Sequence, residues 1–252
     1  MSILQKIVAQ KEREVTVLPS RKPLELAKKS FINALRKRPS LIAEIKPRSP
    51  SRGELVHERD LSTIVDLYNS HAQAISVLCD QKFFGGGYDL LAQVRELTDL
   101  PILAKEFIID QRQIFAARSA GADAVLLIGA ILEKKQAAAL AREAQILNMS
   151  VLFEVHEVND LSKIPNLSPE SLVIGINNRS LVDQHIDLTT TLQLAPIVRR
   201  EFPDHLLMCE SGIENRHDIV QLSSCVDGFL IGTSILTSKD RESFITSLFH
   251  SS

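Results

Sequence analysis

The chain has 252 residues, 44% of them hydrophobic and 24% charged, with a formal net charge of −2. That length can bury one substantial core and suits a single barrel, and the near-neutral balance gives no electrostatic reason to expect nucleic acid or an anionic membrane as a partner. No stretch approaches the roughly 18–20 uninterrupted apolar residues that span a bilayer, and segment 1–17 lacks the apolar core of a signal peptide. Cys79, Cys209 and Cys225 are widely spaced, without metal-ligand grouping, and read as small core residues of a reduced, cytoplasmic protein. The run Arg36-Lys37-Arg38 reads as the solvated end of a helix and not as a binding tract.

In chain order, residues 1–40 carry two helical patterns, near Ile3 to Val15 and Leu24 to Lys37, separated by Pro19 and Pro23. From Leu41 the pattern changes to apolar strand, loop, amphipathic helix, repeated. Strands are expected near 41–46, 74–78, 101–105, 124–128, 150–154, 172–177, 205–210 and 226–231. Their starts lie roughly 20 to 35 residues apart, the spacing of βα units and not of hairpins. They are continuously apolar, as strands are when helices cover one face and a core the other. Helical stripes run from Leu61 to Tyr68, Leu90 to Leu97, Gln111 to Ala120, Lys134 to Leu147 and Ile186 to Arg200. Asp60 stands where an N-cap belongs and Gly121 where a C-terminal cap belongs. The expected fold is α/β, a (β/α)8 TIM barrel with an N-terminal helical extension; an open doubly wound sheet is the structural alternative. No linker interrupts 1–252, so one domain is expected, with residues 1–40 as the extension. No obvious apolar stripe is left exposed, which makes a monomer the expectation.

Charged and amide residues recur where these strands end. Glu44 and Lys46 close the first, Lys105 the third, Glu154 the fifth, Asn177 and Arg179 the sixth, and Glu210 the seventh. In a parallel barrel the carboxyl ends and following loops form one face, where active sites lie. Alone, Glu44 and Lys46 are explained equally well by a strand-end salt bridge. With Lys105 and Glu154 they suggest acid–base chemistry, because facing carboxylates and ammonium groups shift one another's proton affinity.

Two turns, Glu210-Ser211-Gly212-Ile213 and Ile231-Gly232-Thr233-Ser234, follow adjacent late strands, where barrels often hold a phosphate. Arg179 could clamp a carboxylate; pairing with a structural acid is the plainer account. The segment Pro47-Arg48-Ser49-Pro50-Ser51-Arg52-Gly53 is expected to form a basic loop over the barrel mouth. Phe83-Phe84-Gly85-Gly86-Gly87 offers an aromatic wall on a flexible hinge, with ordinary loop packing the alternative. His156 falls on the pocket side two residues after Glu154 but has no companion, so no metal site stands out. There is no dinucleotide or Walker fingerprint, and no cofactor is expected.

Several segments together resemble indole-3-glycerol phosphate synthase. They are Ala43-Glu44-Ile45-Lys46 followed by Ser49-Pro50-Ser51, Lys105-Glu106-Phe107-Ile108, Leu152-Phe153-Glu154-Val155-His156, Gly175-Ile176-Asn177-Asn178-Arg179 and Glu210-Ser211-Gly212-Ile213. They occur in the family's order, from about residue 41 to 236, and their combination is specific. Glu106 stands where Asp is frequent in the family, Pro47 follows the first-strand Lys, Gly87 replaces a frequent Ser, and Thr233 occupies a variable position. None of these removes a proposed acid or base. At this length no second barrel is expected, unlike relatives fused to a neighbouring isomerase.

The resemblance implies a carbon–carbon lyase of tryptophan biosynthesis acting on a small phosphorylated substrate, 1-(2-carboxyphenylamino)-1-deoxyribulose 5-phosphate. It implies Lys105 as general acid, Glu154 as general base and Glu44 with Lys46 as a second acid–base pair. Asn177 and Glu210 would orient sugar hydroxyls, Arg179 and Ser49 would meet the anthranilate carboxylate, and Gly212, Gly232 and Thr233 would cradle phosphate. Rival readings are a phosphate-binding isomerase barrel such as phosphoribosylanthranilate isomerase, which explains fewer of these charges, and a catalytically dead ligand-binding barrel.

Overall fold

The computed structural model describes residues 3–19, 29–49, 53–180 and 184–249. Helix α1 (Ile3–Glu14) buries Ile7 and Lys11, one turn apart on the same face, and runs into a tight turn at Val15–Val17. The second expected helix is much shorter among the described residues: α2 spans Phe31–Ala34, capped by the Ser30 hydroxyl, which accepts from the Asn33 N–H. Residues 24–28 of that expectation lie outside the described segments. Helix α2 has little room to extend, because Pro39 and the entry into the first strand at Ser40 follow within six residues of Ala34. Its apolar side chains Phe31, Ile32 and Leu35 are fully buried against Ile42, Ala74, Leu103 and Ala124, and so close the floor of the barrel.

Eight parallel strands form the closed ring: β1 (Ser40–Ile45), β2 (Ala74–Leu78), β3 (Ile102–Lys105), β4 (Ala124–Ile128), β5 (Ser150–Val155), β6 (Leu172–Asn177), β7 (Leu206–Glu210) and β8 (Gly228–Ile231). Each strand pairs with its sequence neighbours, and β8 closes on β1. Every boundary falls within two residues of the sequence expectation. The strands obey the period-two rule. Ile42, Leu103, Leu126, Leu152, Val173, Met208 and Leu230 point into the barrel, while Leu41, Ala43, Val125, Leu127, Val151, Phe153 and Ile174 pack outward against the helices. Each fully buried Leu, Ile or Val contributes about 1.5–3 kcal/mol of transfer free energy.

The covering helices are α3 (Leu61–His71), α4 (Gln81–Phe84), α5 (Tyr88–Leu97), α6 (Gln111–Ser119), α7 (Lys134–Ile146), α8 (Val158–Leu161), α9 (Thr189–Glu201), α10 (Arg216–Leu222), α11 (Thr233–Thr237) and α12 (Arg241–Phe249). Gly121 terminates α6 as expected, with φ of 101° and its N–H bonded to the Arg118 carbonyl. Asp60 precedes α3, but its side chain makes no capping bond, because a turn at Glu58–Asp60 already leads into the helix. Helix α9 starts later than expected: Ile186 is held in an antiparallel bridge with Arg179. The short helices α4, α8, α10 and α11 were not expected, since one or two turns carry too little periodicity, and neither was α12, which buries only Ile245 and Leu248. For α10 a local signal exists, the reciprocal capping box of Asn215 and Asp218.

The opposite end of the barrel is stitched by buried acids. Asp123 accepts from the Ile102 N–H at 3.0 Å and pairs with Arg95, and Asp227 accepts from the Leu207 N–H at 2.8 Å and pairs with Arg38 and Arg199. These charges serve the frame and lie away from the strand ends that carry the site.

Candidate active site

The alternation that points Ile42 into the barrel also points Glu44 inward and Lys46 one step above it. The Lys46 ammonium lies 2.7 Å from Glu44 Oε1. Across the mouth, Lys105 at the end of β3 donates to Glu210 Oε2 at 2.7 Å and to Glu154 Oε2 at 3.3 Å. These five side chains line one cavity of about 630 Å³. Asn177 and Arg179 line it too, and the Asn177 amide oxygen accepts the Arg179 N–H at 3.0 Å. So do Ser49 and Phe84 on one rim and Ser211, Gly212, Gly232 and Thr233 on the other.

Burial and charge act against each other in this ring. Burial disfavours the Lys105 ammonium, but Glu210, Glu154 and Glu44 together outweigh it, and its proton affinity is raised above the usual lysine range. Burial also opposes the Glu44 carboxylate; the nearby Lys46 and Lys105 overcome it and hold Glu44 below its ordinary value. Glu210 goes the other way, pushed up to about 7 by burial and by the neighbouring Glu154, with Lys105 resisting. The rim therefore holds a firmly protonated ammonium beside a carboxyl poised near neutrality, the combination that acid–base chemistry needs.

Two glycines make room for these carboxylates. Gly175, on the inward face of β6, has the Glu210 side chain lying over it: a Cβ there would stand 2.1 Å from Glu210 Oε1. A Cβ at Gly232 would stand 2.5 Å from Glu44 Oε1. Gly232 thus adjoins an acid as well as the rim turn. In the turn after β7, Ser211 and Gly212 both have positive φ, 64° and 91°, and a Cβ at Gly212 would come within 2.7 Å of Ile186. The Ser234 hydroxyl donates to the Ile213 carbonyl at 2.5 Å and ties this turn to α11.

One expectation about the loops needs correction. Phe84 does not ride on a hinge. It ends α4, whose N-terminus is capped by Asp80 and whose C-terminus is capped by Gly85 at φ 69°. Gly86 approaches the Leu78 carbonyl so closely that a Cβ would stand 1.8 Å from its oxygen. The basic loop after β1 is, in its described part, a two-residue pairing of Arg48–Ser49 with Gly53–Glu54, and residues 50–52 lie outside the described segments. Arg48 donates to the carbonyls of Gln81 and Lys82 in α4.

Sequence reasoning missed part of the site. Ile3, Leu4 and Ile7 of α1 line the cavity, together with Phe107, Leu126 and Ile128. The Phe84 and Phe107 rings lie 6.1 Å apart and form an aromatic wall. Lys11, one turn beyond Ile7 on the same face, is buried; a charge in the apolar stripe of an amphipathic helix was the signal available. His156 does not line the cavity, and its Nε2 comes 3.3 Å from Glu154 Oε1 without hydrogen-bond geometry. Asn178 turns away from the cavity; its amide holds the Glu210 and Ser211 carbonyls and so fixes the end of β7.

An eight-stranded parallel barrel with three glutamates and two lysines gathered at its carboxyl-end mouth has the form of a (β/α)8 enzyme. Its place within that class follows from its relatives: the family model described as "Indole-3-glycerol phosphate synthase" matches residues 4–248. The chain belongs to the indole-3-glycerol phosphate synthase family, the carboxy-lyases of tryptophan biosynthesis. It is 40% identical over 264 residues to the indole-3-glycerol phosphate synthase of Albidiferax ferrireducens, covering 98% of each chain. It is also 41% identical to the tryptophan biosynthesis proteins TrpCF of Buchnera aphidicola subsp. Schizaphis graminum, over 87% of this chain, and of Vibrio parahaemolyticus, over 85%. The match spans 48% and 44% of those two longer proteins. Among solved structures, tryptophan synthase subunit alpha from Legionella pneumophila superposes with a TM-score of 0.62 at 16% identity, over 88% of this chain and 97% of that one. The 3-hexulose-6-phosphate synthase from Salmonella typhimurium does so with 0.65 at 15%, over 83% and 96%. At such identities the likeness is one of fold.

Proposed function

We propose that the cavity takes 1-(2-carboxyphenylamino)-1-deoxyribulose 5-phosphate and that the rim residues divide its ring closure among them. The observation that carries this reading is the Lys105 ammonium held between Glu154 and Glu210 beside an apolar, aromatic chamber. The aryl ring would lie against Phe84, Phe107 and the α1 side chains. Its carboxylate would meet Arg179 and Ser49, its hydroxyls Asn177 and Glu210, and its phosphate the turns at Ser211-Gly212 and Gly232-Thr233.

Held in this bent form, the ring carbon that bears the carboxylate attacks the ribulose carbonyl carbon, and Lys105 gives a proton to the carbonyl oxygen. CO2 then leaves and returns its bonding electrons to the ring. The new hydroxyl departs as water with a proton from the Glu44–Lys46 pair, while Glu154 takes the proton from the adjacent carbon. Placement supplies much of the rate, because both reacting carbons belong to one molecule whose ends are pinned. Lys105 must exchange its carboxylate partners for the substrate oxygen, which makes substrate entry the event that frees the acid.

The same reading has the protein working on this small phosphorylated molecule in the cytoplasm, as a monomer. Free thiols at Cys79, Cys209 and Cys225 suit a reducing compartment. Among the described residues, the exposed large apolar side chains Val17, Leu97, Ile146, Val158 and Val220 sit on separate elements.

Turnover of the purified protein with this substrate, followed by indole fluorescence with and without chelator, tests the whole assignment. Product should form at the same rate in both. No signal overturns the assignment, and loss on chelation overturns cofactor-free chemistry. Arg179→Ala should raise KM about tenfold to a hundredfold with a smaller change in kcat, as expected for losing a charge-assisted bond to a carboxylate. An unchanged KM would remove Arg179 from the clamp.

A further inference from the structure

We propose that Lys11 is a positioning residue for the aryl-binding end of the cavity, joining α1, α4 and the turn after β3 into one wall. The inference deepens the reading of that end as the aryl site and rests on it. The Lys11 side chain is 1% exposed, and its ammonium lies 2.7 Å from Asp80 Oδ2, 3.0 Å from Glu106 Oε2 and 2.8 Å from Glu14 Oε2. Asp80 and Glu106 each divide their two oxygens in the same way. While Asp80 Oδ2 meets Lys11, its Oδ1 accepts the N–H groups of Phe83 and Phe84 at 2.6 and 3.1 Å. While Glu106 Oε2 meets Lys11, its Oε1 accepts the Phe107 N–H at 2.7 Å. One cation therefore sits one carboxylate away from the backbone of both aromatic wall residues. It also lies one helical turn from Ile7, which lines the same chamber.

A purely structural tie between α1 and the barrel would not need this arrangement. An apolar side chain would seat the helix without the desolvation that buried ions suffer. Ion pairs and charge-assisted hydrogen bonds have direction, however, and fix the rotation and register of three segments that apolar contact would leave free to slide. The cluster is also over-supplied with acid. Facing Glu106 are Lys11 and Glu14 from α1, Cys79 and Asp80 after β2, and Tyr88 from α5, and Lys105 precedes it in the chain. Burial pushes Glu106 up to about 7, with Lys11 opposing. Without Lys11, the one other cation in that set, Lys105, is engaged with Glu154 and Glu210, so the three carboxylates Glu14, Asp80 and Glu106 lose the charge they share and the wall they organise loses its common anchor.

The test separates the two ends of the cavity. Lys11→Met keeps the length and apolar stem and removes the charge. The expected result is a KM for the aryl substrate raised about tenfold or more, while inhibition by inorganic phosphate, the probe of the far end, stays within about twofold of the parent. An unchanged KM, or a parallel weakening of substrate and phosphate, overturns the positioning role and leaves Lys11 a general structural tie. Should Lys11→Met fail to fold, Glu106→Gln decides the matter. Its amide oxygen still caps the Phe107 N–H, so a threefold or larger rise in KM with unchanged phosphate inhibition supports the proposal, and an unchanged KM overturns it. Absence of turnover in the unmodified protein would instead overturn the functional reading itself.

Discussion

Lys105→Met is expected to lower kcat by about 10²-fold or more while the barrel remains folded, in the range for removing a general acid. The Lys105 ammonium is the only cation within hydrogen-bond reach of both Glu154 and Glu210 among the described residues. Its loss removes the proposed donor and also leaves two buried carboxylates facing each other. Glu210, already raised by burial and by its acidic neighbour, then loses the cation that opposes the rise and holds its proton to higher pH than before. The sign of the stability change follows: a carboxyl whose folded proton affinity is raised binds more protons folded than unfolded, so stability falls as pH rises through that window. Melting curves should therefore show the variant close to the parent in mild acid and increasingly weaker toward alkaline pH. A near-normal kcat would return Lys105 to a structural role.

Gly175→Ala is the second large effect, expected at about 10²-fold in kcat, the scale at which a misplacement of about 1 Å is felt. The position has no left-handed backbone requirement, so the new methyl strains nothing along β6 itself. It would stand 2.1 Å from Glu210 Oε1, and the carboxylate must swing away from Lys105. The signature is non-additivity. Gly175→Ala combined with Glu210→Ala should turn over no more slowly than Glu210→Ala alone, because the methyl then has no carboxylate to displace. Independent, multiplying losses would show that Gly175 acts through something other than Glu210, and an unaltered kcat would show that the reach of Glu210 to Lys105 is dispensable.

How much of this was legible in the chain differs by element. The apolar runs ending in Glu44, Lys105, Glu154, Asn177 and Glu210 were readable as parallel strands because short continuous apolar runs and their βα spacing show directly in the chain. Short segments were not: α4 and α8 have one turn each, too little for a helical period, and the glycines of the α4 segment suggested mobility where the structure uses them for close backbone approach. The aromatic partner of Phe84 was equally hidden, since Phe107 reaches it from the next strand end.

The side of the barrel on which Glu44, Lys46, Lys105, Glu154 and Glu210 emerge was thus set by the amino-acid order alone, through the two-residue repeat of each strand. Which of them meet was set only by closure of the ring. Lys105 and Glu210 lie 105 positions apart, and their 2.7 Å contact requires the stagger of the intervening strands and the empty face of Gly175. The same holds for Lys11, whose place in the apolar stripe of α1 hints at burial but names no partner. It becomes buried only when α1 docks across the mouth, where Asp80 and Glu106 have already been brought together by the pairing of β2 with β3. Local periodicity decides which way a side chain faces, and only the closed barrel decides what it finds there.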